Sequence, residues 1–375
     1  MPRPTVDQPA AAQPEDLRLV DPLAAPDWDE CLANFPEATF FHTVAWARVL
    51  NGSYGYRPFY ITMNRGNRMT SALPLMEIDS WLTGKRGVSL PFTDECGPLG
   101  VYDDQNSFSQ LFQSAKIHGK KRQWKYLECR GGRELLGKTP ASTSYFAHRL
   151  SLQKDEKALF SGVDSSVRRA VRKAEQNKLV IEFSRSLDSM RTFYGLFCKT
   201  RQRHGVPPQP FSFFANIQRH VLEKNLGWVV LARHEGNPVA GAVFFHFGKS
   251  VLYKFGASDE KHQNLRANNL VMWEAIRRYA QEGFTSLDFG RTSKSNEGLR
   301  RFKLSWGAEE RVIEYFRHDL RKNRFVQNPD NNGGGLHSAY KFMPILFSRV
   351  IGFLLYKHIA ALTLMLDWGQ ISDFA

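Results

Sequence analysis

Apolar and polar positions fall into one pattern twice along this chain. In residues 60–78 (YITMNRGNRMTSALPLMEI) and again in residues 229–247 (VVLARHEGNPVAGAVFFHF), a short apolar strand runs into a turn and out into a longer strand of small and apolar residues. Each turn contains a Gly-Asn pair, Gly66-Asn67 and Gly236-Asn237, which is expected to supply the positive-φ positions of a tight hairpin. A further strand follows each hairpin, at 87–91 (GVSLP) and 251–257 (VLYKFGA). A helical pattern precedes each, at 45–50 and 190–202, and another helix and strand come after. In the second copy that helix is expected over 268–282, where Leu270, Val271, Ala275, Ile276 and Tyr279 share one face. Asn268 reads as its N-cap and Gly283 as its terminator, and a strand over 285–289 follows.

The order of helix, hairpin, strand, helix and strand, met twice, implies an α/β chain of two similar halves; the plain alternative is two unrelated hairpins. A length of 375 residues agrees with two domains at about 150 residues each. The expected division is a disordered leader at 1–15, domains at 16–150 and 151–325, and a linker with amphipathic helices at 326–375. With 42% hydrophobic and 23% charged residues the chain belongs with folded globular proteins, not with disordered or collagen-like ones. The leader lacks a basic stretch running into an apolar core, so a cytoplasmic location is expected. Cys31, Cys96, Cys129 and Cys198 are scattered without CxxC spacing, which argues against a disulfide framework or a metal site.

Charge narrows the partners. Lys and Arg number 51 against 37 Asp and Glu, a net charge of +14 whose field attracts anions: RNA, nucleotide phosphates, acidic sugars or an anionic membrane face. One basic cluster, Arg168, Arg169, Arg172 and Lys173, lies in a helical stretch over 164–178 that Ser165 or Ser166 can cap. A second, Lys199, Arg201, Arg203 and His204, ends the next helix. The two either form one anion-binding wall or are solvated faces. The tail over 342–366 is apolar but interrupted by Arg349, Lys357 and His358. It is expected to lie on a surface, either packed on the body or docked at the inner membrane through 336–375, and not to cross a bilayer.

The richest segment is SLDFGRTSKSNEGLRRFKLSWG, 286–307. Its strand is expected to end at Asp288-Phe289, with Gly290 releasing the backbone into a polar loop crowded with Arg291, Lys294, Arg300, Arg301 and Lys303. Loops at strand ends are where open α/β sheets place ligands. Together with FHTVAW (41–46), SSVRRAVRKAE (165–175), TRQRHG (200–205), LDFGRT (287–292) and above all GLRRFKLSWGA (298–308), this segment resembles the Fem family of peptidoglycan aminoacyltransferases. Their relatives are built from two tandem acetyltransferase-like (GNAT-like) domains. The resemblance implies α/β architecture with mixed sheets and a C-terminal helical tail, and an acyl- or aminoacyltransferase. In that family an amine of a cell-wall precursor attacks the ester of an aminoacyl-tRNA.

Carried onto this chain, the Phe-Lys pair of the family motif becomes Phe302, shaping the pocket, and Lys303, whose ammonium suits an anionic tetrahedral species. Asp288 is the candidate general base by position, with a structural role as the alternative. Arg291, Arg168, Arg172, Arg201, Arg203 and Trp46 are taken as substrate-binding. No metal or resident cofactor is expected; aminoacyl-tRNA or acyl-CoA enters as co-substrate, with a peptidoglycan or exopolysaccharide precursor as acceptor. Two departures matter. The Arg/Gln-x-x-Gly-x-Gly/Ala loop that cradles the pyrophosphate of acetyl-CoA falls on Gln263 to Asn268 (QNLRAN), where neither glycine is kept. His42, Thr43 and Leu50 stand where muropeptide-using members carry a Gln-Ser pair and a lysine, so the acceptor need not be UDP-linked. The alternatives are a CoA-dependent N-acyltransferase and a noncatalytic RNA- or glycolipid-binding protein.

Overall fold

A computed structural model describes residues 15–100, 105–153, 155–327 and 343–359. The first half runs β1 (Glu15–Val20), α1 (Trp28–Leu32), α2 (Val44–Tyr54), β2 (Arg57–Pro58), β3 (Tyr60–Arg65), β4 (Arg68–Leu73), β5 (Met76–Ile78) and β6 (Arg86–Val88). It continues through α3 (Gln105–Lys121), β7 (Tyr126–Arg130), α4 (Arg133–Leu136) and β8 (Thr143–Ser151). The second half opens with α5 (Glu156–Gly162), α6 (Ser165–Gln176), β9 (Val180–Ser184), α7 (Leu187–Arg203) and α8 (Phe211–Ile217). Then come β10 (Gly227–His234), β11 (Asn237–Phe247), β12 (Ser250–Ser258), α9 (Ala267–Gln281) and β13 (Ser286–Ser293). Last are α10 (Glu297–Leu304), β14 (Glu309–Asp319), β15 (Arg324–Val326) and, after a stretch outside the described residues, α11 (Ile345–Ile359). The leader expected at 1–15 lies outside the described residues except for Glu15, which opens β1.

Both halves share one sheet. Its 12 strands run β2-β5-β6-β7-β14-β8-β13-β12-β11-β10-β9, with β15 on β14, while β1, β3 and β4 form a separate sheet of 3. The seam is made by exchange: β14 inserts between β7 and β8, pairing Tyr315 with Arg130 on one side and Glu309 with Arg149 on the other. The sheet is mixed, parallel at β6/β7 and β12/β13. In β10 and β11 successive side chains alternate between two buried faces. Val229, Leu231, Val243 and Phe245 join the core of α2, α7 and α8, while Val230, Ala232, Ala242 and Phe244 join that of α6 and α9. A strand covered on both sides is apolar at nearly every position, which is why 229–247 reads as a continuous apolar run.

Several local expectations change. In both hairpins the glycine is left-handed (Gly66 φ 61, Gly236 φ 79) and the asparagine is not; the second left-handed residue of the later turn is Glu235, φ 50, and Asn237 already begins β11. Helix α9 ends at Gly283 as expected, φ 80, but its N-cap is Arg266, not Asn268. Asp164, not Ser165 or Ser166, stands at the N-cap of α6. The strand expected to stop at Phe289 continues to Ser293 through a bulge between Asp288 and Arg291, with Gly290 at φ 68. The loop after it is short because Asn296 caps α10, accepting a hydrogen bond from the Leu299 amide at 3.0 Å. The basic run is therefore helical.

Candidate active site

Helix α6 is amphipathic. Val167, Val171 and Ala174 are buried, so Arg169 and Lys173, one turn apart, project from the opposite side. Helix α10 buries Leu299, Phe302 and Lys303. The two helices and the start of α9 enclose a cavity of about 890 Å³, walled by Arg169, Lys173, Arg266, Asn269, Arg301 and Phe302. Four cations face it, against the carboxylate of Asp164. A recess of about 30 Å³ beside it, lined by Ser258, His262, Gln263 and Asn268, shares Arg266. Arg266 keeps a left-handed backbone, φ 56, at the position where the CoA-binding loop has its first glycine. One left-handed backbone position of that loop is thus kept, with a guanidinium side chain on it.

A second cavity, of about 270 Å³, lies at the seam between the halves and has the opposite character. Glu37, Asp94, Glu95, Glu134 and Asp288 line it with Arg149 and Arg311, above an apolar floor that includes Phe40, Phe41 and Ile313. Arg311 donates to both oxygens of Glu95 and lies 3.8 Å from Asp288 Oδ2. Asp288 Oδ1 accepts from the Gly290 amide at 2.6 Å. Burial lifts the Asp288 carboxyl above its ordinary pKa, with Arg311 and Arg149 acting against that rise. His42, which also lines this cavity, is held neutral by burial. Its Nδ1 accepts from the Thr39 amide at 3.0 Å, which leaves Nε2–H to donate to the Gly97 carbonyl at 2.9 Å.

Between the cavities the seam is filled by buried charge. Lys254 donates to Asp94 Oδ2 at 2.9 Å and to the Phe92 carbonyl at 2.9 Å, joining β12 to the first half. Burial pushes Asp94 up, but Lys254 and then Arg291 outweigh it and hold the carboxyl below its ordinary range. Arg291 donates to Tyr315 Oη at 3.2 Å and stacks over Tyr145, its guanidinium carbon 4.4 Å from the ring centre. Lys303 is fully buried and donates to the carbonyls of Gly290 (3.0 Å) and Arg291 (3.1 Å), clamping the bulge in β13.

The residues expected from sequence are thus spread over several places. Phe302 lines the basic cavity, Asp288 the acidic one, and Lys303 and Arg291 the wall between them. Arg168 turns back to donate to the Ser161 carbonyl at 2.8 Å, and Arg172 covers Phe160. Arg201 is buried and donates to Tyr356 Oη of α11 at 2.8 Å, while Lys199 pairs with Asp259 at 2.7 Å. Arg203 is half-buried, near Glu260 and Asp259. The two basic clusters therefore do not make one wall: the cations around the cavity come from α6, α10 and Arg266. Trp46 lies in the core against Phe41 and Phe213, because the apolar side of α2 faces inward. Sequence reasoning missed Lys254, Asp94, Glu95 and Arg311. A lysine in the middle of the apolar strand VLYKFGA was the available signal for the first; the others belong to segments whose meeting no local pattern announces.

Residues 161–310 match the family model described as an acetyltransferase (GNAT) domain. Among solved structures, the crystal structure of FemX is similar over 80% of this chain and 96% of its own, with a TM-score of 0.66 at 14% identity. A tandem GNAT protein from the clavulanic acid biosynthesis pathway is similar over 82% and 99%, with a TM-score of 0.52 at 12% identity. The chain has a tandem GNAT-like fold. The C-terminal domain of a putative lysylphosphatidylglycerol synthetase from Agrobacterium fabrum shares that fold over 81% of this chain and 92% of its own, at 12% identity and a TM-score of 0.52. No curated protein matches the sequence. The matched stretch takes in α6, α9 and α10, the helices around the basic cavity.

Proposed function

We propose that this acyltransferase moves an activated acyl or aminoacyl group from an anionic carrier to an amine of a cell-envelope precursor. The observation that carries the reading is the pairing of two unlike cavities on either side of Lys303 and the β13 bulge. The cavity of about 890 Å³, with Arg169, Lys173, Arg266 and Arg301, suits the phosphates of aminoacyl-tRNA or of an acyl-CoA. The carboxylate-rich cavity suits an ammonium group, and Asp288, its pKa raised by burial, is the group placed to take the proton that the amine must lose before it attacks. In the attack the amine nitrogen bonds to the ester or thioester carbonyl, and the carrier oxygen or sulfur leaves with the electron pair as the amide forms. Lys303, buried beneath the bulge with its ammonium on the Gly290 and Arg291 carbonyls, adds a fixed positive charge to the wall between the cavities and favours a tetrahedral oxyanion through space, without touching it. Arg266 in place of glycine favours a large polyanionic donor over acetyl-CoA, while its retained left-handed backbone supports the CoA-dependent reading as the runner-up.

A transfer assay with labelled aminoacyl-tRNA, acetyl-CoA and long-chain acyl-CoA against lysine-containing muropeptides tests this. Transfer from aminoacyl-tRNA is expected, with Asp288→Asn lowering kcat by roughly 10²–10⁴-fold and leaving the donor KM in place. Transfer from acetyl-CoA alone would establish the runner-up. Turnover with none of the donors would leave only a binding role.

A further inference from the structure

Helix α11 is built inside out. Its buried side carries Ser348, Gly352 and Tyr356, one turn apart, and packs on α7 and the Pro207-Pro208 segment. A Cβ at Gly352 would stand 2.0 Å from the Pro208 carbonyl oxygen, so the close approach requires glycine. Tyr356 accepts from Arg201 and donates to the Pro207 carbonyl at 3.1 Å. The last carbonyls of the helix receive Tyr56 Oη at 2.8 Å and Arg86 Nη2 at 3.0 Å from the first half. The helix is thereby fixed across both halves, and its large apolar side chains point away: Leu346, Phe347, Val350, Phe353 and Leu354 are all more than half exposed. Their spacing of i, i+1, i+4, i+7 and i+8 makes one continuous stripe.

The stripe does not end with the helix. Trp81, 84% exposed, donates from Nε1 to His358 Nε2 at 3.1 Å, and Leu82 beside it is exposed as well. Around this apolar face the charge is positive. Helix α11 has no carboxylate in its sequence; it exposes Lys357 and also Arg349, whose guanidinium carbon lies 5.3 Å from the ring centre of Tyr194 on α7, at the margin of the stripe. Lys125 reaches the same turn, donating to the Thr83 carbonyl at 2.9 Å. Lys85 joins them, paired with Asp79 at 3.4 Å. No helix among the described residues is long and apolar enough to cross a membrane.

We infer that α11 and the Trp81-Leu82 turn form a face that rests on an anionic lipid surface, with the apolar stripe in the acyl-chain boundary and the lysines and arginine at the headgroups. An exposed apolar stripe edged by cations and ending in a tryptophan has the composition of an in-plane helix, and the same cations would repel one another across a symmetric dimer of this face. The inference does not rest on the proposed reaction. It has a geometric consequence for it: α11 lies on the α7 side of the sheet and the basic cavity on the α9 side, so a lipid-docked molecule turns the cavity toward water, open to a large soluble donor.

Flotation of the full chain with vesicles of phosphatidylglycerol and phosphatidylcholine, against phosphatidylcholine alone, is the test. Binding is expected to the anionic vesicles and to fall as salt is raised. A Trp81→Ser/Phe347→Ser/Phe353→Ser variant, altered only at exposed positions and with an unchanged melting temperature, is expected to lose at least tenfold in bound fraction. Brominated acyl chains are expected to quench the fluorescence of the full chain more than that of Trp81→Phe. The inference is overturned if the chain fails to float with anionic vesicles, or floats as well after the triple substitution. It is equally overturned if flotation appears only once residues 360–375 are removed, since the chain's own tail then covers the face. A lipid-free dimer that the triple substitution dissolves, in a chain that binds no vesicles, would assign the face to a second copy.

Discussion

The two halves follow one order of elements and differ in what they do with it. In each, a third strand runs parallel to the strand after the next helix: β6 beside β7 at Gly87 and Val88, β12 beside β13 at Ser250 to Leu252. Beyond those pairs the first half is closed. Ser89 bonds to the Glu128 carbonyl at 2.8 Å, Cys96 bridges Arg130, and a buried group of Arg130, Glu128 and Arg317 fills the remainder. In the second half the strands part, the β13 bulge is held by Lys303, and α6, α9 and α10 leave a basic cavity. A duplicated pattern of strands and helices therefore does not duplicate a site. The connections after the third strand and after β13 decide whether the gap between the parallel strands is plugged or open.

The seam that joins the unlike halves offers the strongest way to break the comparison. Lys254→Met removes one partner of a buried ion pair and leaves Asp94 facing no ammonium. A loss of about 3–5 kcal/mol of stability is expected, read as a lower denaturation midpoint in urea. The double variant Lys254→Met/Asp94→Leu is expected to recover part of it. If the single variant melts like the native chain, the halves are held by their strands alone.

The next effect is pH-dependent and lies on β8, the seam strand. His148 is fully buried, and burial, then the charge of Lys303, lowers its pKa from 6.5 to about 4 despite the Glu310 carboxylate 3.0 Å away. The unfolded imidazole takes up its proton near 6.5 and the folded one only near 4, so the unfolded state binds more protons between these values. Stability is therefore complete above pH 6.5 and falls as the pH drops toward 4, by roughly 2–3 kcal/mol. His148→Gln should flatten that slope, which thermal melts at stepped pH will show.

The smallest effect separates the halves by function. Arg169→Glu/Lys173→Glu reverses two exposed charges at the open site. It is expected to raise the KM for the donor roughly ten- to a hundredfold while leaving the melting temperature unchanged. Reversing Lys120 and Lys121 on α3, which stands in the first half where α9 stands in the second, should leave KM alone; an equal response from both would mean that the halves share the donor.

Much of the fold was legible in the chain. The second hairpin, its third strand and α9 fall where the apolar periodicity put them, since a strand or helix declares itself by which near neighbours must share a face; in the first half the return strand stops at Leu73, Met76–Ile78 joins the other sheet, and the strand expected over 87–91 ends at Val88 because Leu90 turns left-handed. The errors were local too: Asn67 and Asn237 took no left-handed turn position, and a bulge carried β13 past Gly290. The site was less legible. On α6 the cations at the cavity are Arg169 and Lys173, while Arg168 and Arg172, in the same run, fold back onto α5 and Phe160. Composition counts the four alike, and only the packing of Val167 and Val171 sets which of them point outward.

By itself the sequence determined the order of elements, their repetition and a positive charge in search of an anion, because these depend on neighbours along the chain. The tertiary structure alone decided that β14 crosses to the first half, that Lys254 meets Asp94 across 160 residues, that Arg201 serves α11, and that opposite charges line two cavities. Such meetings follow from strand order in the sheet and from which helix covers which face, and no local run of residues encodes either.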